Sequence, residues 1–109
     1  MKRNITCIDL ETTDSNKQTA RIIQLAVIVF DPNTWKTVRE KSWYIKPTGK
    51  WIITPEATKV NGLTYEFIDE HGVNLADVAP ELKEMMKDTD ILTFNGTGFD
   101  IVILEREME

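Results

Sequence analysis

The sequence is poor in the residues on which several kinds of protein chemistry depend. Of its 109 residues one is Cys, Cys7, so no internal disulfide can form and no cysteine-based zinc site is available. One His, His71, excludes a histidine-rich metal centre. Positive charge is also short: 13 Lys plus Arg stand against 18 Asp plus Glu, a formal net charge of −5. A basic surface that neutralises phosphates is therefore excluded as the means of binding nucleic acid. Carboxylates that hold metal ions remain open as another way to grip phosphate. No apolar run approaches the roughly 20 residues needed to span a bilayer, and the start, Met1-Lys2-Arg3-Asn4-Ile5, lacks the apolar stretch of a signal peptide. The expectation is one small soluble domain, residues 1–109, in a reducing cytoplasm and away from membranes.

What is present is a pattern of short strands and helices around one core. Asn4 to Asp9 reads as a buried strand entering an acidic turn. Arg21 to Phe30, rich in β-branched residues, suits a central strand covered on both faces. Asp31-Pro32-Asn33 is a turn between antiparallel neighbours, and Thr37 to Ile45 alternates as an edge strand would, closed by Pro47. Thr54-Pro55-Glu56 and Gly62 bracket a helix from about Pro55 to Asn61. A second helix runs to about Lys87 with Val78, Ala79, Leu82, Met85 and Met86 on one side and Pro80 in its first turn. Ile91 to Phe94 is a short buried strand, Asn95 to Gly98 breaks it, and a third helix starts near Asp100. Three strands, two helices, a strand and a helix make a mixed-sheet α/β or α+β domain.

Asp9 and Glu11 are two residues apart at the end of the first strand, so an extended backbone turns both to one face. Like charges held together at the rim of a core favour a cation between them, and Mg²⁺ takes one or two carboxylates plus waters and phosphates. The alternative is a pair of solvated charges in a turn. Asp100 follows another strand end, where the plain reading is a helix N-cap. Taken together, acids at the ends of neighbouring strands can converge on one cleft. Three of them suit two-metal phosphoryl chemistry, with ions about 4 Å apart activating a water and stabilising the leaving oxygen.

Ile8-Asp9-Leu10-Glu11-Thr12-Thr13 resembles the first motif of the DEDD (DnaQ-like) 3′→5′ exonucleases. The resemblance continues through Arg21 to Val27, Tyr44-Ile45-Lys46-Pro47 and Val60-Asn61-Gly62-Leu63-Thr64. It ends in Phe94 to Asp100, which is similar to the second motif. It implies a ribonuclease-H-like sheet, a three-stranded antiparallel meander plus a parallel strand, with flanking helices. It also implies hydrolysis of DNA or RNA from a single-stranded or frayed 3′ end, with two Mg²⁺ or Mn²⁺ ions. By position Asp9, Glu11 and Asp100 become metal ligands. Thr12 and Thr13 lie against the terminal nucleotide, and the backbone near Leu10 holds its sugar. Asn61 and Leu63 contact or wedge the terminal bases, while Asn95 belongs to the second motif and Phe99 packs beneath the site. A polymerase is a partner that the resemblance admits.

The sequence departs from the family pattern in having Phe94 for the usual His, Asp14 for Gly and Gln24 for Glu. The third motif, a further Asp with a His or Tyr that activates water, does not occur by residue 109. His71 lies between the helices and reads as an exposed loop residue. The expectations are an exonuclease domain incomplete at its C-terminus and weak or inactive alone, or a remnant acting only through protein contacts. A bare sheet edge beside Ile91 to Phe94 would favour a homodimer. Trp35, Trp43 and Trp51 read as packing residues rather than base-stacking platforms, Cys7 as an inert apolar group, and Glu105, Glu107 and Glu109 as a solvated helix end.

Overall fold

A computed structural model describes residues 2–16, 18–93 and 99–108. The chain forms strands β1 (Ile5–Thr12), β2 (Ile22–Asp31) and β3 (Lys36–Tyr44), then helices α1 (Pro55–Asn61), α2 (Tyr65–His71) and α3 (Leu75–Met86). Strand β4 (Asp90–Thr93) and helix α4 (Phe99–Glu107) follow. The sheet order is β3-β2-β1-β4. β1 pairs antiparallel with β2 and parallel with β4, which makes the expected mixed sheet with flanking helices.

Alternation decides which face of the sheet is packed. Ile8 and Leu10 of β1 and Leu25, Val27 and Val29 of β2 are buried against Val78, Leu82 and Met85 of α3 and Ile103 and Leu104 of α4. On the opposite face Cys7, Ala26, Ile28 and Phe30 are only half-buried. The central strand is therefore not sealed on both faces as its composition suggests, because the described α3 and α4 both pack on one side. Cys7 shares the more open face, and burial pushes its thiol up, which keeps it protonated and unreactive. A second cluster, Ile23, Leu63 and Ile68 with Trp51, Ile53 and Phe67, holds α2 and the segments flanking α1 against β2.

The helix signals succeed where capping is strong. Thr54 Oγ1 accepts from Ala57 N at 3.2 Å, Pro55 opens α1, and Gly62 closes it at φ 74°. The segment after it is a helix too, capped by Thr64 accepting from Phe67 N at 3.2 Å. That corrects the expected two helices before β4 to three, and it moves His71 from a loop to the last residue of α2, in ring contact with Phe67 at 4.6 Å. Gly72, just beyond, is required by close approach: a Cβ there would meet Ile68 O at 2.6 Å and Lys46 N at 2.8 Å. Pro80 sits beyond the first turn of α3, not within it. Its missing N–H would have bonded the carbonyl of Ala76, and both residues are exposed, so the loss falls where solvent can reach.

Two polar links close the molecule. Thr89 Oγ1 donates to Met86 O at 2.7 Å and accepts from buried Thr6 at 2.6 Å, fixing the start of β4 beside β1. Glu107, expected on a solvated helix end, instead accepts from Arg21 Nε at 2.6 Å and from the backbone N–H of Ile22 at 3.4 Å. Its side chain is 15% exposed. Neighbouring Arg106 donates to Ala20 O, so the end of α4 is bound twice to the start of β2.

Leu82→Ala, at a side chain with no exposure, is expected to lower unfolding free energy by about 2–5 kcal/mol, read from urea midpoints at unchanged slope. Glu107→Ala should cost about 1–3 kcal/mol, because it strands a half-buried guanidinium. Unfolding of Glu107→Ala at the wild-type midpoint would show the Arg21 contact to be dispensable.

Candidate active site

Among the described residues β4 pairs with β1 from Ile5 to Ile8, and β2 follows β1 to Thr12. Asp9 and Glu11 lie at this carboxyl end of β1. Ile8 and Leu10 point into the core, which turns Asp9 and Glu11 together to the other face. Asp9 is exposed, and among the described residues it has no hydrogen-bond or ion-pair partner; Glu11 is half-buried.

Beside this strand end is a concavity of about 490 Å³. It is lined by Leu10, Glu11 and Thr12, by Asp14 and Ser15, and by Thr54, Glu56, Ala57, Val60 and Asn61 of the α1 region. Every charged residue that lines it among the described residues is acidic. The wall formed by α1 rests on the helical spacing of Ala57, Val60 and Asn61, which places them on one face. Val60 is 87% exposed. An apolar side chain held in solvent on a pocket wall is a contact surface rather than core.

The loop after β1 gives the pocket its shape. Thr12 Oγ1 donates to Asp14 O at 2.8 Å. Asp14, where the resembling family often has Gly, accepts from Asn16 N at 2.7 Å and from Thr19 Oγ1 at 3.1 Å. Thr13 is 2% exposed, and its hydroxyl accepts from Arg21 N at 3.0 Å. Its backbone donates to Arg21 O at 2.9 Å and accepts from Thr54 N at 3.0 Å. Asn61 Oδ1 accepts from Leu63 N at 2.9 Å, and its amide reaches toward Thr12 O at 3.5 Å.

Of the residues singled out from sequence, Leu10, Glu11, Thr12 and Asn61 meet at this concavity, with Asp9 on the same strand end. Thr13 and Leu63 do not. Thr13 spends its hydroxyl on accepting from Arg21 N and donating to Asp14 Oδ2, and Leu63 is 8% exposed in the second core cluster. The apolar group offered at that wall is Val60 instead. Asp100 and Phe99 open the first turn of α4, with their side chains outside the described residues; Asn95 lies outside them altogether. Sequence reasoning missed Glu56, Ala57 and Val60. The available signal was a helix whose apolar residues recur on one face while none is buried.

Carboxylate oxygens suit hard divalent ions. Among the described residues no three His, Cys, Asp or Glu side chains gather as a metal cluster, so Asp9 and Glu11 stand as a two-carboxylate set. That number is enough for Mg²⁺ when water and substrate oxygens complete the sphere. Among the described residues, no helix is long and apolar enough to cross a membrane.

No curated protein sequence matches the chain significantly. Its fold is similar to that of E. coli exonuclease I in complex with a dT13 oligonucleotide. That match has a TM-score of 0.85 at 23% identity, over 98% of this chain and 24% of that one. An exonuclease I complex with the SSB C-terminus matches equally well, with a TM-score of 0.85 at 22% identity, over 99% of this chain and 24% of that one. The chain thus spans about a quarter of the length of these structures. The family model described as exonuclease, RNase T, matches residues 6–109, and the chain belongs to that exonuclease family.

Proposed function

We propose that this chain carries the nucleolytic site of a 3′→5′ exonuclease acting on single-stranded nucleic acid, with two Mg²⁺ or Mn²⁺ ions held by Asp9, Glu11 and Asp100. The observation that carries this reading is the charge of the concavity, which among its described lining residues is acidic alone. A polyanion cannot enter a pocket charged by Glu11, Asp14 and Glu56 unless cations intervene. Bound divalent ions would supply Lewis-acid activation of water and stabilisation of the leaving oxygen. Exonuclease I, the structural neighbour, binds oligothymidylate, which supports a single-stranded substrate here.

The chain's own residues would work as follows. Asp9, exposed and without a competing partner among the described residues, is free to bind a metal ion. Glu11 faces the concavity from the same strand. Leu10, Thr12 and Asn61 form the floor and wall against which a terminal nucleotide would lie, and Val60 offers an apolar edge to its base. Contacts of this type read shape and stacking rather than base identity. Among the described residues the concavity contains no His or Tyr, and its carboxylates are the side chains there that could accept a proton.

Homodimerisation through β4 is a further part of the reading. Ile91 and Leu92 are 46% and 55% exposed on a strand that, among the described residues, pairs only with β1, the kind of edge that recruits another copy.

Three measurements test these readings. Mn²⁺ relaxation titration should show weak saturable binding that Asp9→Asn reduces severalfold; equal binding by both proteins would remove Asp9 from the metal site. With Mn²⁺, a 5′-labelled single strand should shorten slowly from its 3′ end. The rate should fall roughly 10²–10⁴ below that of a site with its general base in place, and Glu11→Gln should abolish what remains. Rapid shortening that survives Glu11→Gln would defeat the mechanism. Light scattering across a concentration series should show dimer formation, and a monomer throughout would dismiss the β4 contact.

A further inference from the structure

We propose that Trp51 and Tyr65 form a stacking platform for a base upstream of the 3′-terminal nucleotide, outside the acidic concavity; this rests on the nucleolytic reading of that concavity. The two rings stack with centroids 4.3 Å apart and planes 29° from parallel. They line one shallow hollow together with Gly49, Lys50 and Ile52. Tyr65 is 44% exposed and Ile52 75% exposed, so the hollow presents aromatic and aliphatic surface to solvent. Trp51 is held from behind by the cluster of Ile23, Leu63 and Ile68. A rigid, supported ring loses little conformational freedom when a base is laid on it.

Position makes nucleic acid the occupant. Trp51 lies three residues before Thr54 and Tyr65 four residues after Asn61, and both Thr54 and Asn61 line the acidic concavity. An extended chain covers at most about 3.6 Å per residue, so Trp51 lies within roughly 11 Å of Thr54, and Tyr65 within roughly 14 Å of Asn61. A strand whose last nucleotide occupies the concavity reaches the rings within a few nucleotides. Charge agrees with that path. Lys46 is tied to Asp69 at 2.9 Å, while Lys50 in the hollow has no ion-pair partner among the described residues and can meet a phosphate. Stacking is indifferent to base identity and needs little positive charge, which fits a chain of net charge −5.

The test uses a Trp35→Phe, Trp43→Phe chain, in which Trp51 is the sole tryptophan, titrated in Mg²⁺ with dT12, with an abasic 12-mer of the same phosphate count, and with dT2. The platform predicts that dT12 quenches Trp51 and that the abasic strand does not. Trp51→Leu should weaken dT12 binding by about 5- to 150-fold, the equivalent of one stacked base, while leaving dT2 binding unchanged. Equal quenching by the abasic strand, or unchanged dT12 affinity in Trp51→Leu, would overturn the platform and leave the concavity untouched. Binding of neither dT12 nor dT2 would overturn the nucleolytic reading and the platform with it. If Trp51→Leu proves unfolded by circular dichroism, Tyr65→Leu at the exposed start of α2 decides by the same affinity ratio.

Discussion

The acidic end of the sheet depends on Thr13. This residue ends the run of β1, and it makes a two-way exchange with Arg21: its N–H donates to Arg21 O, and its hydroxyl accepts from Arg21 N. Its carbonyl then accepts from Thr54 N, the residue that caps α1. One buried residue thus joins the floor of the concavity to the helix that forms its wall, through its backbone to Thr54 and through both backbone and hydroxyl to Arg21. A valine would fill the same space and leave the N–H of Arg21 without its acceptor, a desolvated donor worth about 1–3 kcal/mol. Arg21 carries the constraint onward. Its guanidinium bonds Glu107 of α4 and both Thr48 O and Thr48 Oγ1. The strand end, the α1 wall and the last helix are therefore held by a contiguous set of hydrogen bonds rather than by packing alone.

Charge is segregated around this frame. The described lining of the concavity carries acids only, and two cations of the surrounding frame are committed, Arg21 to Glu107 and Lys46 to Asp69. The side chain of Asp69 raises the affinity of Lys46 for its proton, first by a hydrogen bond and then by charge. An acid-lined cleft repels a phosphate chain until divalent ions compensate it. Contacts farther along the strand can then draw on stacking, which the exposed ring of Tyr65 and the half-buried ring of Trp51 offer beside Lys50. Ions at the cleft and stacking beyond it divide the binding between them, without the broad basic face that the composition excludes.

Legibility in the sequence followed the range of the interaction. Local signals were readable: Thr54, Pro55 and Gly62 delimited α1 to the residue, and the i, i+2 spacing of Asp9 and Glu11 placed both on one face. The seven-residue α2 escaped because only Ile68 on it is buried, too little for a period to show. Glu107 looked like a solvated tail residue because its partner lies 86 positions earlier in the chain. Thr13 looked like a substrate contact because nothing local shows that its hydroxyl answers the backbone of Arg21. Leu63 and Val60 exchanged the roles that their hydrophobicity suggests, since the second cluster absorbs the former and leaves the latter on the wall. The half-open face of β2 was illegible for a similar reason: composition reports the burial that a strand tolerates, not the helices available to provide it.

The position of the site follows from where β1 changes partners. β1 has an antiparallel neighbour that follows it to Thr12 and a parallel neighbour paired with it, among the described residues, from Ile5 to Ile8. Asp9 and Glu11 come just after those parallel pairs. β4 runs the same way as β1, and α4, with Asp100 in its first turn, follows it in the chain. Ile103 and Leu104 bury themselves against the cluster that contains Ile8 and Leu10. The helix that brings Asp100 is thus seated on the inward side of the strand that displays Asp9 and Glu11 on its other face. Crevices outside the carboxyl ends of strands, where a sheet changes direction, are the recurrent place for ligands in such folds. In this chain the change from antiparallel to parallel pairing occurs across β1 itself, so a single strand supplies the core residues, the two acids and the edge of the cleft.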